Sequence, residues 1–131
     1  MSGPIATLVE DAVACVAAEH PAAYAALERA LGARRFDLEI DDEHFMLDIG
    51  IPTLRGPVVS VTTDIATLYA LVHGEQGLLD AALAGRLDVR ASADDLVAVS
   101  EALTHFVQGA MRCVSMQQHL DRLATLRKER M

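Results

Sequence analysis

Tryptophan is absent from this chain of 131 residues, and aromatic residues make up only 4% of it. The hydrophobic fraction is nonetheless 52%, much of it alanine and leucine. Positive charge is also scarce: the net charge is −8, which argues against a general nucleic-acid binder because phosphate contacts require a basic surface. The basic residues near the end more simply complement the C-terminus of a helix. The length suits one domain, residues 1–131.

Long apolar runs are missing as well. No stretch is long enough to span a bilayer, so no membrane span is predicted. The first apolar run contains Glu10 and Asp11 and follows no basic segment, so it is not a signal peptide. Cys15 and Cys113 are far apart in the sequence and lie among apolar neighbours, which favours small buried hydrophobes over a disulfide. These features together predict a soluble, cytoplasmic protein.

Motifs that would carry chemistry are absent too. The five histidines form no HExxH pair, there is no Cys-x-x-Cys, and the glycines form no phosphate-binding loop. The acidic run 41–43 lacks the ligand spacing of a calcium loop, so it predicts a hydrated hairpin turn. We expect no metal and no cofactor, and the sequence identifies no catalytic residues.

The N-terminal region, residues 4–32, predicts two helices separated at His20-Pro21 and stopped at Gly32. Apolar residues then alternate with polar ones over 36–40 and 45–49, which predicts an antiparallel hairpin. A turn-rich connection with two prolines covers 52–57, and another strand follows over 57–62. A fourth strand is predicted after Gly85, and a fifth could lie in the connection.

The segment 64–91 predicts a helix, a glycine stop, a second helix, a second glycine stop and a strand. Asp64 supplies an N-cap oxygen, while Gly74 and Gly85 can close the two helices. Ser92 then caps a long helix, and its apolar stripe continues through Met111, Met116, Leu120 and Leu123. Glycine weakens a helix, so a bend is expected at Gly109. The segment that carries this stripe either folds back at Gly109 across a cavity or packs against a second chain. We favour a homodimer slightly, since a two-fold contact needs only one self-complementary stripe.

The order TLYALVHG, then LLDAALAGRLDV, then a long helix resembles the sterol carrier protein-2 (SCP2) family over residues 33–108. The N-terminal helices (4–32) and a C-terminal helical extension (109–131) flank that part. The resemblance implies an α+β fold, a mostly antiparallel four- to five-stranded sheet covered on one face by helices. It also implies a hydrophobic tunnel that binds sterols, fatty acids or acyl-CoA.

From the residues alone, the same apolar side chains could equally fill a solid core. With the resemblance, we expect a cavity between the sheet and the helices that binds a hydrophobic small molecule. Two alternatives remain. One is a small cofactor-free cyclase or isomerase that uses the same cavity, and its candidate catalytic groups are His105, Tyr69, His73 and Cys113. The other is a regulatory or dimerisation domain. The residues predicted to line the cavity are Phe45, Leu47, Val59, Leu68, Leu103, Phe106 and Met111.

Overall fold

Helices occupy both ends of the chain, and most of the strands lie between them. A computed structural model describes residues 3–32, 34–49 and 58–130. Within those ranges the elements are α1 (Pro4–Glu19), α2 (Pro21–Leu31), β1 (Arg35–Ile40), β2 (Glu43–Asp48), β3 (Val58–Thr63), α3 (Ile65–Val72), α4 (Leu78–Leu83), β4 (Asp88–Arg90), α5 (Ala93–Ala110) and α6 (Met116–Glu129).

The four strands form one mixed sheet in the order β2-β1-β3-β4. β1 pairs antiparallel with β2, placing Leu38 opposite Phe45, and β3 pairs antiparallel with β4. The central pair, β1 with β3, is parallel, and it sets Leu38 beside Val61. The predicted α+β class with a mostly antiparallel sheet is therefore confirmed. The turn-rich connection 52–57 and its suggested fifth strand lie outside the described residues.

The two faces of the sheet differ in polarity, as the alternating sequence predicts. Phe36, Ile40 and Val59 on the inner face are buried. On the outer face His44 hydrogen-bonds Asp37, and the His44 side chain is 67% exposed. The helices therefore have one apolar surface to cover, and they pack on that side.

Side-chain caps fix three of the helix starts. The Nδ1 atom of His20 accepts the Ala23 N–H at 3.1 Å, where the chain leaves α1 and enters α2. Asp64 accepts the Thr67 N–H at 2.7 Å at the start of α3. Ser92 accepts the Asp95 N–H at 3.1 Å and opens α5. These contacts satisfy amide groups that have no partner inside the helix, and they agree with the boundaries predicted from the sequence.

Small residues bring α5 close to α1 and α2. A Cβ atom added at Gly109 would lie 2.7 Å from Ala23 Cβ and 3.1 Å from Val16 Cγ1, so only glycine fits there without movement. The helix runs straight through Gly109 and ends at Ala110. Gly109 is therefore a close-packing residue, and the bend predicted at this point comes just after it.

The long C-terminal helix, predicted with a bend at Gly109, is two helices separated by residues 111–115. The chain turns between α5 and α6, so Met111 is 82% exposed, whereas Met116 and Leu123 are 2% and 3% exposed. α6 packs against α1 and α3 of the same chain. A dimer was predicted because the stripe would otherwise be uncovered, and α6 instead covers it within one chain. The oligomeric state itself stays a prediction.

None of the helices within the described ranges combines the length and the apolar character that a membrane crossing requires. Across the same residues, no cluster of three or more histidine, cysteine or acidic side chains is arranged to hold a metal ion.

Candidate functional site

A cavity of about 200 Å³ lies between the inner face of the sheet and the helices. Its floor is made by inward-facing strand residues, among them Phe36 and Leu38 of β1, Leu47 of β2 and Val61 of β3. These side chains point inward because alternate residues of a strand face the same side of the sheet. The floor is therefore a direct consequence of the alternating pattern in the sequence.

Six helices contribute to the walls. α2, α3 and α5 supply the central part, where Ala102 and Phe106 of α5 stand over the strands. α1 contributes Leu8 and Ala12, and α6 contributes Leu120 and three further residues. Because small side chains such as Ala12 and Ala102 alternate with larger ones, the helices cover the sheet without filling the space beneath them.

Polar atoms are rare in this lining. Among the described residues that line the cavity, Thr63 and His119 alone have polar side chains. The Thr63 hydroxyl donates to the Arg86 carbonyl oxygen at 3.0 Å, so it already has a partner. The Nδ1 atom of His119 is buried and has no hydrogen-bond partner among the described residues. The surface of the cavity is therefore almost wholly apolar, and it can hold an apolar molecule.

Four of the seven residues predicted to form the lining do border this cavity: Leu47, Leu68, Leu103 and Phe106. The structure places the other three elsewhere. Val59 is fully buried in the main core, and Phe45 packs with Ile5 and Ile40 in a second cluster. Met111 lies on the exposed turn after α5, because the helix ends one residue before it.

The contribution of α1 to the lining was not predicted, and that of α6 was one of two alternatives for the C-terminal stripe. The stripe of α1 was recognised, but nothing in it indicated a ligand site. Met116, Leu120 and Leu123 were recognised as a stripe too, yet their place over the cavity depends on the turn between α5 and α6. His119 lies between these apolar positions, and its place in the lining could be inferred only once α6 was known to fold back.

Polar contacts hold α6 at both ends. At its start, the Glu19 carboxylate accepts the Ser115 N–H at 3.3 Å and the Cys15 thiol at 3.0 Å, and these bonds lower the pKa of Glu19. At its end, Arg130 donates to Asp42 at 2.7 Å and to Glu43 at 3.4 Å. The Arg130 guanidinium lowers the pKa of Asp42 as well.

The acidic turn 41–43 is less hydrated than its sequence predicts. The Glu43 side chain is only 12% exposed and accepts the backbone N–H groups of Ile5 at 2.9 Å and Ala6 at 3.2 Å. A carboxylate at a helix N-terminus is favoured by the unpaired amides and by the helix dipole. Glu43 therefore joins the start of α1, the hairpin turn and the end of α6.

The four groups considered for catalysis do not form one site. Tyr69 stacks on His73 with ring centroids 3.9 Å apart, and Arg127 lies 4.0 Å above the Tyr69 ring. Cys113 lies in a separate cluster beside Cys15. Within the described part of the chain, neither these residues nor His105 belong to the cavity lining.

Both cysteines are free and buried. Burial, with a smaller contribution from the neighbouring Glu19, raises the pKa of Cys15 to about 12. Burial likewise raises the pKa of Cys113. Nucleophilic chemistry requires the thiolate, so these side chains behave as small hydrophobic residues at neutral pH.

A second depression, of about 270 Å³, lies on the outer face of the sheet among Asp37, Glu39, His44, Ser60 and Arg90. Its imidazole and one carboxylate are already hydrogen-bonded to each other. The inner cavity is the better candidate for an organic ligand because it is lined by apolar side chains.

Comparison with known proteins supports the fold. No family model and no curated protein sequence matches the chain. Among solved structures, the chain is similar to sterol carrier protein 2 from Yarrowia lipolytica in its apo form. The TM-score is 0.52 at 16% sequence identity, and the match covers 74% of this chain and 88% of that one. The protein therefore has an SCP2-like fold.

Proposed function

We propose that this protein binds an apolar small molecule in the cavity between its sheet and its helices. The observation that carries the proposal is the cavity itself: about 200 Å³ of space walled by aliphatic and aromatic side chains. Apolar molecules gain free energy when they leave water for such a space. The likeness in fold to a sterol carrier protein supports a ligand of the lipid or sterol class.

The size of the cavity restricts the ligand that fits without rearrangement. A cavity of about 150 Å³ lined by similar side chains accommodates benzene, which corresponds to about 25 Å³ for each non-hydrogen atom. On that scale, 200 Å³ holds about eight such atoms. We therefore propose that the cavity as it stands takes a small ring system or a segment of an acyl chain.

Binding has more support than catalysis. Acid–base catalysis requires a group placed to exchange a proton with the substrate, and often a second group for its return. His119 is the one unpaired polar side chain among the described residues of the lining. A cyclase or isomerase would have to work with that single group or by orientation alone. We therefore place carrier or ligand-sensing roles ahead of an enzymatic one.

Two measurements test the proposal. The first is solvent extraction and native mass spectrometry of protein purified without a tag, which should reveal a bound apolar molecule. The second is titration with ethylbenzene, followed by ¹H–¹⁵N NMR, which should shift amides of α5, α6 and β1. If nothing is extracted and ethylbenzene shifts no amide, the proposed function is wrong.

The Ala102→Leu variant is the matched control. Its larger side chain should occupy the ligand volume, so the ethylbenzene shifts should disappear while the spectrum of the free protein stays folded. Shifts that persist in this variant would show that ethylbenzene binds somewhere other than the cavity.

A further inference from the structure

We infer that His20 is a pH-sensitive switch at the corner where α1 ends and α2 begins. The corner is closed while the imidazole of His20 is neutral. Protonation of the ring opens the corner and weakens the attachment of the start of α6. The inference concerns the fold itself, so it does not depend on the proposed function.

His20 caps α2 with a ring nitrogen. Its Nδ1 atom accepts the backbone N–H of Ala23 at 3.1 Å, and Pro21, which has no N–H, occupies the first turn. Because the donor is a backbone amide, Nδ1 must carry a lone pair, and the proton of the neutral ring lies on Nε2. The more usual capping residues accept through oxygen atoms that keep their lone pairs at neutral and mildly acidic pH. This cap therefore exists only while His20 is unprotonated.

A proton on Nδ1 reverses the interaction with Ala23. The ring then presents a donor and a positive charge to the Ala23 N–H, and a cation is unfavourable at a helix N-terminus. In an unfolded chain an imidazole takes up its proton near pH of about 6.5. In the folded protein the same proton can enter Nδ1 only after the bond to Ala23 breaks. The closed corner is therefore most stable above pH of about 6.5, and it is weakened as the pH falls below that value.

The end of α1, the end of α5 and the turn 111–115 pack around this corner. The charged or titratable groups on these segments and on the first turn of α2 are Cys15, Glu19, Tyr24, His105, Arg112 and Cys113. Of this set, Glu19 alone is negatively charged at neutral pH. It directly precedes His20, so its carboxylate is the group that a protonated ring would attract.

Glu19 links the corner to α6. Its carboxylate accepts the Ser115 N–H at 3.3 Å, just before α6 begins, and the Cys15 thiol at 3.0 Å. A protonated His20 that has lost its bond to Ala23 competes with the Ser115 N–H for this carboxylate. Ser115 then loses its partner, and the start of α6 loses the polar contact that holds it to α1.

His20→Asn is the matched variant, because asparagine caps a helix through an oxygen that does not titrate. Urea unfolding is measured at pH 7.5 and pH 5.0 for both proteins. The unfolding equilibrium constant of the wild type should rise about fourfold more over this interval than that of the variant. An N-cap contributes about a fivefold factor, and pH 5.0 expresses most of it. The other histidines are present in both proteins, so their effects cancel, and an equal rise in the two proteins would overturn the inference.

NMR spectra locate the effect. In the wild type, the amide resonances of Ala23 and Ser115 should move between pH 7.5 and pH 5.0 with the same midpoint as the ring nitrogens of His20. In His20→Asn both amides should stay nearly fixed. A Ser115 amide that does not follow His20, or that moves equally in the variant, would show that the corner does not control α6 and would refute the switch.

A further measurement needs no variant. The ¹⁵N spectrum of the imidazole rings at pH 7.5 should show His20 with an unprotonated Nδ1 and a protonated Nε2. A proton on Nδ1 at that pH contradicts the inference, because such a nitrogen cannot accept the Ala23 N–H.

Discussion

Replacing a small residue of α5 with a larger one that fills the cavity should raise the free energy of unfolding. A larger side chain in a protein core usually has the opposite effect. Ala102 is 4% exposed and lines the cavity, so Ala102→Leu adds three carbon atoms to existing space. Those atoms occupy about 75 Å³ of the 200 Å³ available. Burial contributes about 0.8 kcal/mol for each carbon, and the loss of leucine rotamer freedom costs about 0.5–1 kcal/mol. The expected gain is about 1.5 kcal/mol.

The matched control is Ala98→Leu, one turn earlier on the same helix. Ala98 is also buried, at 9% exposure, but does not line the cavity. The same substitution should therefore overpack the core and cost about 1–3 kcal/mol. Urea unfolding monitored by circular dichroism gives both values, provided that the slope of the transition is unchanged. If Ala102→Leu destabilises the protein as much as Ala98→Leu, the space beneath α5 does not exist in solution, and the binding proposal loses its basis.

Three further predictions follow from single contacts. Gly109→Ala should lower the free energy of unfolding by about 0.5–2 kcal/mol, because the clash with Ala23 outweighs the better helix propensity of alanine; a gain in urea unfolding would contradict the close contact. Cys15 should react slowly with iodoacetamide at pH 8 and quickly in urea, since burial raises its pKa to about 12; fast native labelling would refute this. The hydrogen bond from Arg34, 2.6 Å long, lowers the pKa of Asp95 in the folded protein. The stability that this ion pair contributes is therefore fully present above pH of about 4, the pKa of an unfolded aspartate, and is lost as the pH falls through the lower folded-state pKa. Asp95→Asn should therefore reduce the difference in the free energy of unfolding between pH 7 and pH 2.5. An unchanged difference would show that the Arg34–Asp95 pair does not contribute to stability.

The parts of the fold that sequence predicted well are those determined by neighbouring residues. The hairpin follows from strict alternation, and the ends of α3 and α4 follow from Gly74 and Gly85, which adopt φ angles of 70° and 76°. The start of α5 follows from the capping pair Ser92 and Asp95. Each signal acts over a few residues, so no knowledge of the tertiary structure was required.

The turn between α5 and α6 had only an indirect signal, because Gly109, where a bend was predicted, lies inside α5. Residues 111–115 contain neither glycine nor proline, and the apolar stripe continues through them. The helix ends there because Cys113 and Met116 find burial in a cluster with Cys15 and Val16 of α1, far away in the sequence. A local pattern cannot report that long-range burial. The sequence therefore left two alternatives for this segment, a fold back at Gly109 across the cavity and a dimer contact, and we favoured the dimer.

The same long-range packing decides which residues can recognise a ligand. Leu47, Leu103 and Phe106 could be placed in the lining because strand alternation and helix period determine the side they face. His119 could not, because an isolated histidine on an amphipathic helix has no preferred side until its partner is known.

The position of α6 also sets the size of ligand that the proposed site can take. The floor is a hydrogen-bonded sheet and α5 is fixed to α2 by close packing at Gly109, so neither can move without breaking many contacts. α6 is held at its start by Glu19 and at its end by Arg130, through polar bonds at residues that solvent reaches. Exposed ion pairs contribute little to stability, so the main cost of moving α6 is the exposure of Met116 and Leu123. We therefore expect a ligand larger than about eight non-hydrogen atoms, such as a complete sterol, to displace α6 before it displaces the sheet or α5.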